Sequence, residues 1–482
     1  DVVGIMSSNC PQSLIAYQAI LRIGAILTQI NPMNVEREIE DQIIDAGAKV
    51  VVALDILVPK IENLPGKGKF ETIIAFKLQD YMPWPLTWLF PIKLMVEKRS
   101  VRLRPSKTLL MWKELMVNAS EISNDEDIDT EDVALIQYTG GTTGTSKGAL
   151  LTHRNILANA LQGKKWFVDA KEGSEVFILV LPSFHAFGMT VGMNLAIALG
   201  AKMILSPKFD AYDIMKLIEK HKATIFPGVP VMYAAINNHP KARTKDISSI
   251  KYCVSGGAGL AQEVREKFEK LTGGALVEGY GLTEASPITH CNPLTGGAKK
   301  GSIGLPLPST ESKIIIGDNF EETKTLEVGE LVVKGPQVMK GYHNRPEETA
   351  NVIKNGWLIT GDMGYVDEDG FVFLKDRKKD MIISGGENVY PRDVEEVLFK
   401  IDGIMEASVV GMEDARWGEK VVAVVVLEDG RKMTEQQIIE ECKKELARYK
   451  IPKRVVIMHS LPKTIIGKVL KRELKAQLKD LI

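Results

Sequence analysis

The sequence predicts an α/β protein of several domains, and three observations carry that prediction. Its 482 residues exceed what one hydrophobic core usually organises. Short apolar runs alternate with helix-period stretches over the first hundred residues, and again from about 173 to 275. After about residue 300 the pattern changes to short strands separated by turn residues.

The elements follow in order. VVGIM (2–6) reads as a strand; Asn9 then caps a helix with Pro11 in its first turn, and Gly24 ends it. AILTQINP returns as a strand, VEREIEDQIIDAG (35–47) as a helix and KVVVAL as a third strand. Such alternation marks a parallel sheet covered by helices. It recurs through EVFILVLP, a glycine-bearing helix, AKMILSP, a helix from Tyr212 to His221, ATIFPGVP and IKYCVSGG, so two such sheets fit the length. KIIIG, GELVVKG and GYVDEDGFVFL read as antiparallel strands, with DEDG (367–370) as a hairpin turn. The charged run KDRKKD (375–380) separates this β region from an α/β module at 381–482 and is taken as the domain boundary.

Composition excludes several classes. Sixty-one basic and 62 acidic side chains give a net charge of −1, against a general nucleic-acid binder or a disordered polyelectrolyte. Cys10, Cys253, Cys291 and Cys442 lie far apart, which supports neither a disulfide framework nor a zinc site. A reducing, cytoplasmic setting is expected, with attachment to the inner membrane face left open. No run reaches the roughly 18 apolar residues of a spanning helix. The nearest, YMPWPLTWLFPIKLM (81–95), is broken by Pro83, Pro85 and Pro91 and ended by Lys93. The favoured reading of 81–99 is a loop packed on the body. The alternative is a dip into a membrane interface through Trp84, Trp88 and Phe90, ahead of Lys98 and Arg99. The chain starts at Asp1 inside a strand-like run, so loss of an N-terminal segment is expected. Between Lys443 and Lys479, twelve Lys or Arg meet only two acidic residues, a local basic field suited to a polyphosphate ligand.

The densest chemical signal is YTGGTTGTSKGALLTH (138–153). After the ALIQY strand, Thr139 to Gly148 are all Gly, Thr or Ser except Lys147. Glycines let backbone amides turn towards an anion, hydroxyls donate hydrogen bonds and the lysine adds charge, as a phosphate cradle requires. The segment is read between a strand and a helix start. It is not a Walker A loop, because Ser146 precedes Lys147 and Gly148 follows it.

This loop resembles the signature loop of the adenylate-forming superfamily of acyl-CoA synthetases, luciferases and peptide-synthetase adenylation domains. SGGAGL (255–260) resembles its adenine-site segment, GYGLTEASP (279–287) its aromatic-Gly-x-Thr-Glu motif, and 356–398 its ribose-binding, hinge and early small-domain blocks. LPKTIIGKVLKREL (461–474) resembles its C-terminal lysine motif. QINP, LVEGYGLTE, VKGPQVMKGY and DRKKDMIISGGENVYP look most like the long-chain fatty acid–CoA ligases. The resemblance implies a large N-terminal AMP-binding domain, 1–376, of two helix-covered β-sheet subdomains plus a small distorted β-barrel. A smaller mobile α+β domain, 377–482, would follow, with a hinge near 376–380. It also implies an ATP-dependent fatty acid–CoA ligase that forms an acyl-adenylate and pyrophosphate, then transfers the acyl group to coenzyme A. ATP, Mg²⁺, coenzyme A and a fatty acid would be its partners, with no nucleic acid and a homodimer left open. An aryl- or amino-acid-activating enzyme loading a carrier protein, and a non-catalytic lipid-binding relative, are the alternatives.

By the same resemblance, Thr139, Gly140, Gly141, Thr142, Thr143, Gly144 and Lys147 would form the phosphate loop, the threonines and lysine holding the β- and γ-phosphates. Thr283 would bind the α-phosphate and Glu284 the Mg²⁺. Tyr280, between Gly279 and Gly281, would pack on adenine beside the backbone of Gly256, Gly257 and Ala258. Asp362 would accept the ribose hydroxyls, Arg377 would reinforce that end, and Lys379 would be the hinge. Lys468, after Gly467 in a Pro-x₄-Gly-Lys pattern from Pro462, would bridge carboxylate and α-phosphate oxygens during adenylation. His185 would line the meeting point of acyl group and CoA, with a structural role equally open. GVP (228–230), with Met232 and Tyr233 beyond it, is read as lining the acyl pocket, its apolar character suiting a hydrocarbon tail, with ordinary core as the alternative. Two positions depart from the pattern: Gly141 replaces a common Ser, and Ser146 replaces a common Pro, which is expected to loosen the loop.

Overall fold

The computed structural model describes residues 1–64, 70–119, 127–139, 146–317, 320–414, 416–428, 430–464 and 467–479. The chain divides into two units, one of residues 1–298, 306–310 and 334–356, the other of 299–305, 311–333 and 357–482.

The first unit contains two sheets. Strands Val2–Met6, Ile26–Ile30, Ala48–Leu54, Thr72–Phe76 and Leu109–Met111 pair in parallel with Val133–Thr139 beside Ile26–Ile30. Lys147–Thr152 and then Gly341–Tyr342 add antiparallel strands at one edge. Helix Glu36–Ala46 buries Ile39 and Ile43, one turn apart, against Met6, Ile30 and Val51, and Gly47 closes it at φ +66°. The second sheet runs through Lys202–Leu205, Val176–Leu179, bridges at Ile225 and Gly228, then Tyr252–Ser255 and Ala275–Gly281. All these pair in parallel, and Ile288–Cys291 adds to the sheet antiparallel to Ala275–Gly281.

Asn9 does not cap the first helix, which starts at Pro11 with Cys10 at its N-cap. Its buried amide instead joins the two sheet regions. The nitrogen donates to the carbonyls of Leu179 (3.1 Å), Leu181 (2.9 Å) and Ser206 (3.3 Å), and the oxygen accepts from Ser183 N–H (2.8 Å). An amide has both donors and an acceptor, so a position that bridges two sheets satisfies it better than a cap.

The segment expected as a packed loop forms a helix, Leu86–Val96, in which no residue is buried. Among the described residues, no helix is long and apolar enough to cross a membrane.

The second unit has an antiparallel sheet that includes Glu311–Ile316, Gly329–Lys334, Trp357–Val366 and Val372–Arg377. The DEDG turn is present, with Gly370 at φ +83° and Asp367 accepting from the N–H groups of Asp369 and Phe371. A further sheet centres on Gly418–Leu427, paired with Ile404–Asp414 on one side and with Arg454–Ile457 in parallel on the other. Val421, Ala423 and Val425 face helices Pro391–Leu398 and Glu435–Glu445, while Val422, Val424 and Val426 face Leu474 and Leu478 of helix Lys471–Lys479. The unbroken apolar run VVAVVV is thus a strand covered on both faces.

The basic tail is less positive in space than in sequence. Lys443, Lys444, Lys450, Arg454, Lys463 and Lys471 pair with carboxylates of Glu440, Glu441, Asp393, Glu435, Glu406 and Glu395. The acidic partners come mostly from earlier elements, which a local charge window cannot see.

Asn9→Leu should remove four hydrogen bonds without changing side-chain size much. A loss of about 2–4 kcal/mol is expected from the stranded backbone groups, read as a lower urea midpoint at unchanged slope.

Candidate active site

In the first unit the phosphate-loop candidates lie at a hairpin. Val133–Thr139 and Lys147–Thr152 are antiparallel, and Thr139 stands opposite Lys147. The loop therefore joins two strands, and the helix expected directly after it starts only at His153, capped by Thr152. Gly140, Gly141, Thr142, Thr143 and Gly144 lie outside the described residues. The loosening expected from Ser146 concerns residues outside the described ones; Ser146 itself is described. Its hydroxyl donates to the Thr139 carbonyl at 2.5 Å. Lys147 forms an ion pair with Glu348 and lies 5.3 Å above the Tyr342 ring.

Thr283 and Glu284 fall in a short 3₁₀ turn, Thr283–Ala285, just past strand Ala275–Gly281. Glu284 accepts from the Tyr342 hydroxyl at 2.7 Å, and its carbonyl accepts from Met339 N–H at 2.8 Å. Tyr342 therefore touches both Glu284 and Lys147, and joins two candidates that are 137 positions apart (284 − 147). Sequence reading missed it, although VKGPQVMKGY, which contains it, already carried the resemblance.

Tyr280 is half-buried opposite His290, their rings 6.1 Å apart. Close packing explains the glycines around it: a Cβ on Gly281 would lie 2.0 Å from the Pro287 carbonyl oxygen, and one on Gly279 2.9 Å from Val254. Gly256 is buried and abuts the Phe187 ring, Gly257 has φ +82°, and Gly257 and Ala258 form an exposed bend after it. His185 is half-buried, and its Nδ1 accepts from Phe187 N–H at 3.3 Å. Gln137, on the strand leading to Thr139, donates to the adjacent Phe184 carbonyl at 3.0 Å. Of the two readings for Tyr233, ordinary core describes it: it is fully buried, and its hydroxyl donates to the carbonyls of Phe226 (2.8 Å) and Val254 (3.2 Å). Met232 is buried beside it on the same helix.

The remaining candidates meet in the second unit. Asp362 and Arg377 are direct partners across an antiparallel pair, with Arg377 Nε 3.3 Å from Asp362 Oδ1. Lys379 lies in the turn Lys378–Asp380 that follows. Lys468 sits on a tight turn: Gly467 has φ +78°, Thr464 N–H donates to the Lys468 carbonyl (2.8 Å), and Lys468 N–H donates to Thr464 Oγ1 (3.1 Å). Burial first, then the neighbouring Arg377 guanidinium, lowers the Lys468 ammonium from 10.5 to about 8, against an opposing pull from Asp362. Lys379 and Asp380 also act on it, so one neighbourhood holds all four candidates of this unit.

A family model described as AMP-binding enzyme matches residues 1–343, and one described as AMP-binding enzyme C-terminal domain matches 393–468. The chain belongs to the AMP-binding enzyme family. This AMP-binding enzyme has relatives that match nearly its whole length. It is 46% identical to the long-chain-fatty-acid–CoA ligase of Bacillus subtilis (strain 168), over 98% of this chain and 85% of that protein. To the long-chain-fatty-acid–CoA ligase of Escherichia coli O157:H7 it is 37% identical at the same coverage. The crystal structure of ATP-bound MatB from Rhodopseudomonas palustris matches with a TM-score of 0.88 at 30% identity, over 100% of this chain and 89% of that one.

The AMP-binding enzyme's residues also bear on a metal. Among the described residues no group of three or more His, Cys, Asp or Glu forms an all-protein cage. A lone carboxylate such as Glu284, with one oxygen held by Tyr342, fits Mg²⁺, which binds through one or two carboxylates plus substrate phosphates.

Because Lys468 has a lower pKa folded than unfolded, its charge costs stability below about pH 8, and that cost fades as pH rises from about 8 towards 10.5. Lys468→Met should therefore stabilise the enzyme at neutral pH, by on the order of 1–3 kcal/mol. The gain should shrink in urea melts repeated at higher pH.

Proposed function

We propose that this enzyme is an ATP-dependent long-chain fatty acid–CoA ligase. The acyl substrate and CoA acceptor follow from the Bacillus subtilis relative, 46% identical over nearly the whole chain. The observation that carries the chemistry is Lys468, on its glycine turn beside the Asp362–Arg377 pair.

In the first half-reaction a fatty carboxylate oxygen bonds to the α-phosphorus of ATP as the bond to pyrophosphate breaks. Two anions must approach, so positioning and charge neutralisation do most of the work. The Lys468 ammonium lies between the carboxylate and the α-phosphate and stabilises the charge that builds there, without donating a proton. Asp362 accepts the ribose hydroxyls, held in place by Arg377. Thr139, Thr142, Thr143 and Lys147, with Gly140, Gly141 and Gly144 shaping the loop, hold the β- and γ-phosphates, and Thr283 holds the α-phosphate. Tyr280 packs on adenine between Gly279 and Gly281, beside Gly256, Gly257 and Ala258. Glu284 would hold Mg²⁺, which supplies further neutralisation of the phosphates.

In the second half-reaction the CoA sulfur bonds to the acyl carbon as the carbon–oxygen bond to AMP breaks, with release of the thiol proton; His185 lines this meeting point. Residues 1–376 and 377–482 act as two domains, and Lys379 absorbs the rotation that withdraws Lys468 between the steps. Four free, buried cysteines suit a reducing cytoplasmic location.

Pyrophosphate release should require a fatty acid, be fastest with long chains, and yield thioester only with CoA. Lys468→Ala should slow pyrophosphate release by about a hundredfold or more while thioester formation from pre-made acyl-adenylate stays nearly unchanged. Equal loss of both steps would reject this division of labour.

A further inference from the structure

The helix Leu86–Val96 is the largest apolar feature that the mechanism leaves unused. Trp84 and Trp88 are 82% and 74% exposed, and Leu89, Ile92, Met95 and Val96 are each more than half exposed. Trp88, Ile92 and Met95 recur at i, i+4 and i+7, so they share one face of the helix, with Leu89 and Val96 beside it. Ordinary folding buries such a face. Here that face points to solvent, while Phe90 and Leu94 turn part-way inward.

The charges next to this face are strongly one-sided. From Lys93 to Lys107 the chain carries Lys93, Lys98, Arg99, Arg102, Arg104 and Lys107 against one carboxylate, Glu97, in a protein whose net charge is −1. Glu97 is shared by Lys93 (3.8 Å) and Arg99 (3.9 Å). The other four basic side chains are exposed. A protein partner for this face would need an apolar groove bordered by acid groups. A bilayer with anionic headgroups offers both at once: an acyl boundary for Trp and Ile, and phosphates at the depth of the basic residues. Tryptophans at the edge of the helix suit the headgroup level, where amphipathic rings concentrate.

We propose that residues 84–107 dock this enzyme on the surface of an anionic phospholipid bilayer. The helix lies in the interface plane, with Trp84, Trp88, Ile92 and Met95 inserted and the basic stretch on the headgroups. Docking would place the enzyme where a membrane-dissolved fatty acid can be taken up. That purpose rests on the ligase reading, whereas docking itself is measured without turnover.

The test uses the full chain with phosphatidylcholine vesicles, with and without phosphatidylglycerol, followed by co-sedimentation. Wild type should bind the phosphatidylglycerol vesicles, more weakly in high salt, and hardly bind phosphatidylcholine alone. Two variants change exposed positions by different chemistry: Trp84→Ser/Trp88→Ser/Ile92→Ser, and Lys98→Glu/Arg99→Glu/Arg102→Glu. Each should weaken binding by about tenfold or more, and both should keep wild-type turnover of a short, water-soluble acid. Absence of wild-type binding to anionic vesicles would overturn the proposal, as would full binding by the serine variant. So would a wild-type dimer in sedimentation velocity that the serine variant dissolves, because the occupant of the face would then be a second copy of the chain. If turnover of every fatty acid failed while vesicle binding behaved as expected, the ligase reading would fall and the docking surface would stand.

Discussion

A half-buried ammonium three residues beyond Lys468 ties three elements of the second unit together. Lys471 lies 3.4 Å from Glu395 and 3.6 Å from Asp376, at the point where the last helix begins. Burial alone would lower its pKa, but Glu395, then Asp376 and Asp380, outweigh burial and raise it. Glu395 is lifted above the ordinary carboxylate range by its own burial, and also accepts from Val409 N–H at 2.8 Å. Removing one partner would leave the other charge unpaired where water reaches it only in part, which costs stability. Three elements are thereby pinned together: strand Val372–Arg377, helix Pro391–Leu398 and helix Lys471–Lys479. The Lys468 turn is short and precedes the last helix directly, so the anchor fixes where its ammonium can reach.

A single irregularity decides which residue meets Asp362. From Val366↔Val372 to Gly364↔Leu374 the hairpin counts in step, and the next pairs in step would be Met363 with Lys375 and Asp362 with Asp376. The register shifts between Met363 and Gly364, so Asp362 faces Arg377 instead. One extra residue thus exchanges a carboxylate neighbour, which would repel, for a guanidinium, which pairs. It also leaves Asp376 free to accept from Arg392 N–H (3.1 Å) and to approach Lys471.

This marks the limit of what the sequence makes legible. Strands and helices announce themselves because burial on one or both faces imposes a period of two or 3.6, and VVAVVV or Ile39/Ile43 could hardly read otherwise. The hairpin turn was legible for a similar reason, since DEDG satisfies local geometry. The bulge carries no local signature. Neither do Asn9 between two sheets, the partner carboxylates of the basic tail, or Tyr342 over Lys147 and against Glu284. In each case the residue is ordinary and its distant partner gives it meaning. The helix at 86–96 was misread for the opposite reason: its composition argued for burial, and its prolines argued against a helix. Pro91 withdraws only one hydrogen bond from an 11-residue element, which a short helix can absorb.

The charge balance around Lys468 connects structure to the proposed reaction. Arg377 and Lys379 act on Lys468 as like charges, with Asp362 and Asp380 opposing them. Burial lowers the Lys468 pKa most, and the nearby Arg377 guanidinium adds to the effect. In the proposed reaction a nucleotide phosphate and a carboxylate would bring negative charge beside Lys468 and raise the same pKa. On that proposal, an ammonium whose charge costs the folded protein stability would be most fully charged when two anions must be joined. A fully paired lysine, such as Lys471, would be more stable and would have nothing left to give the transition state.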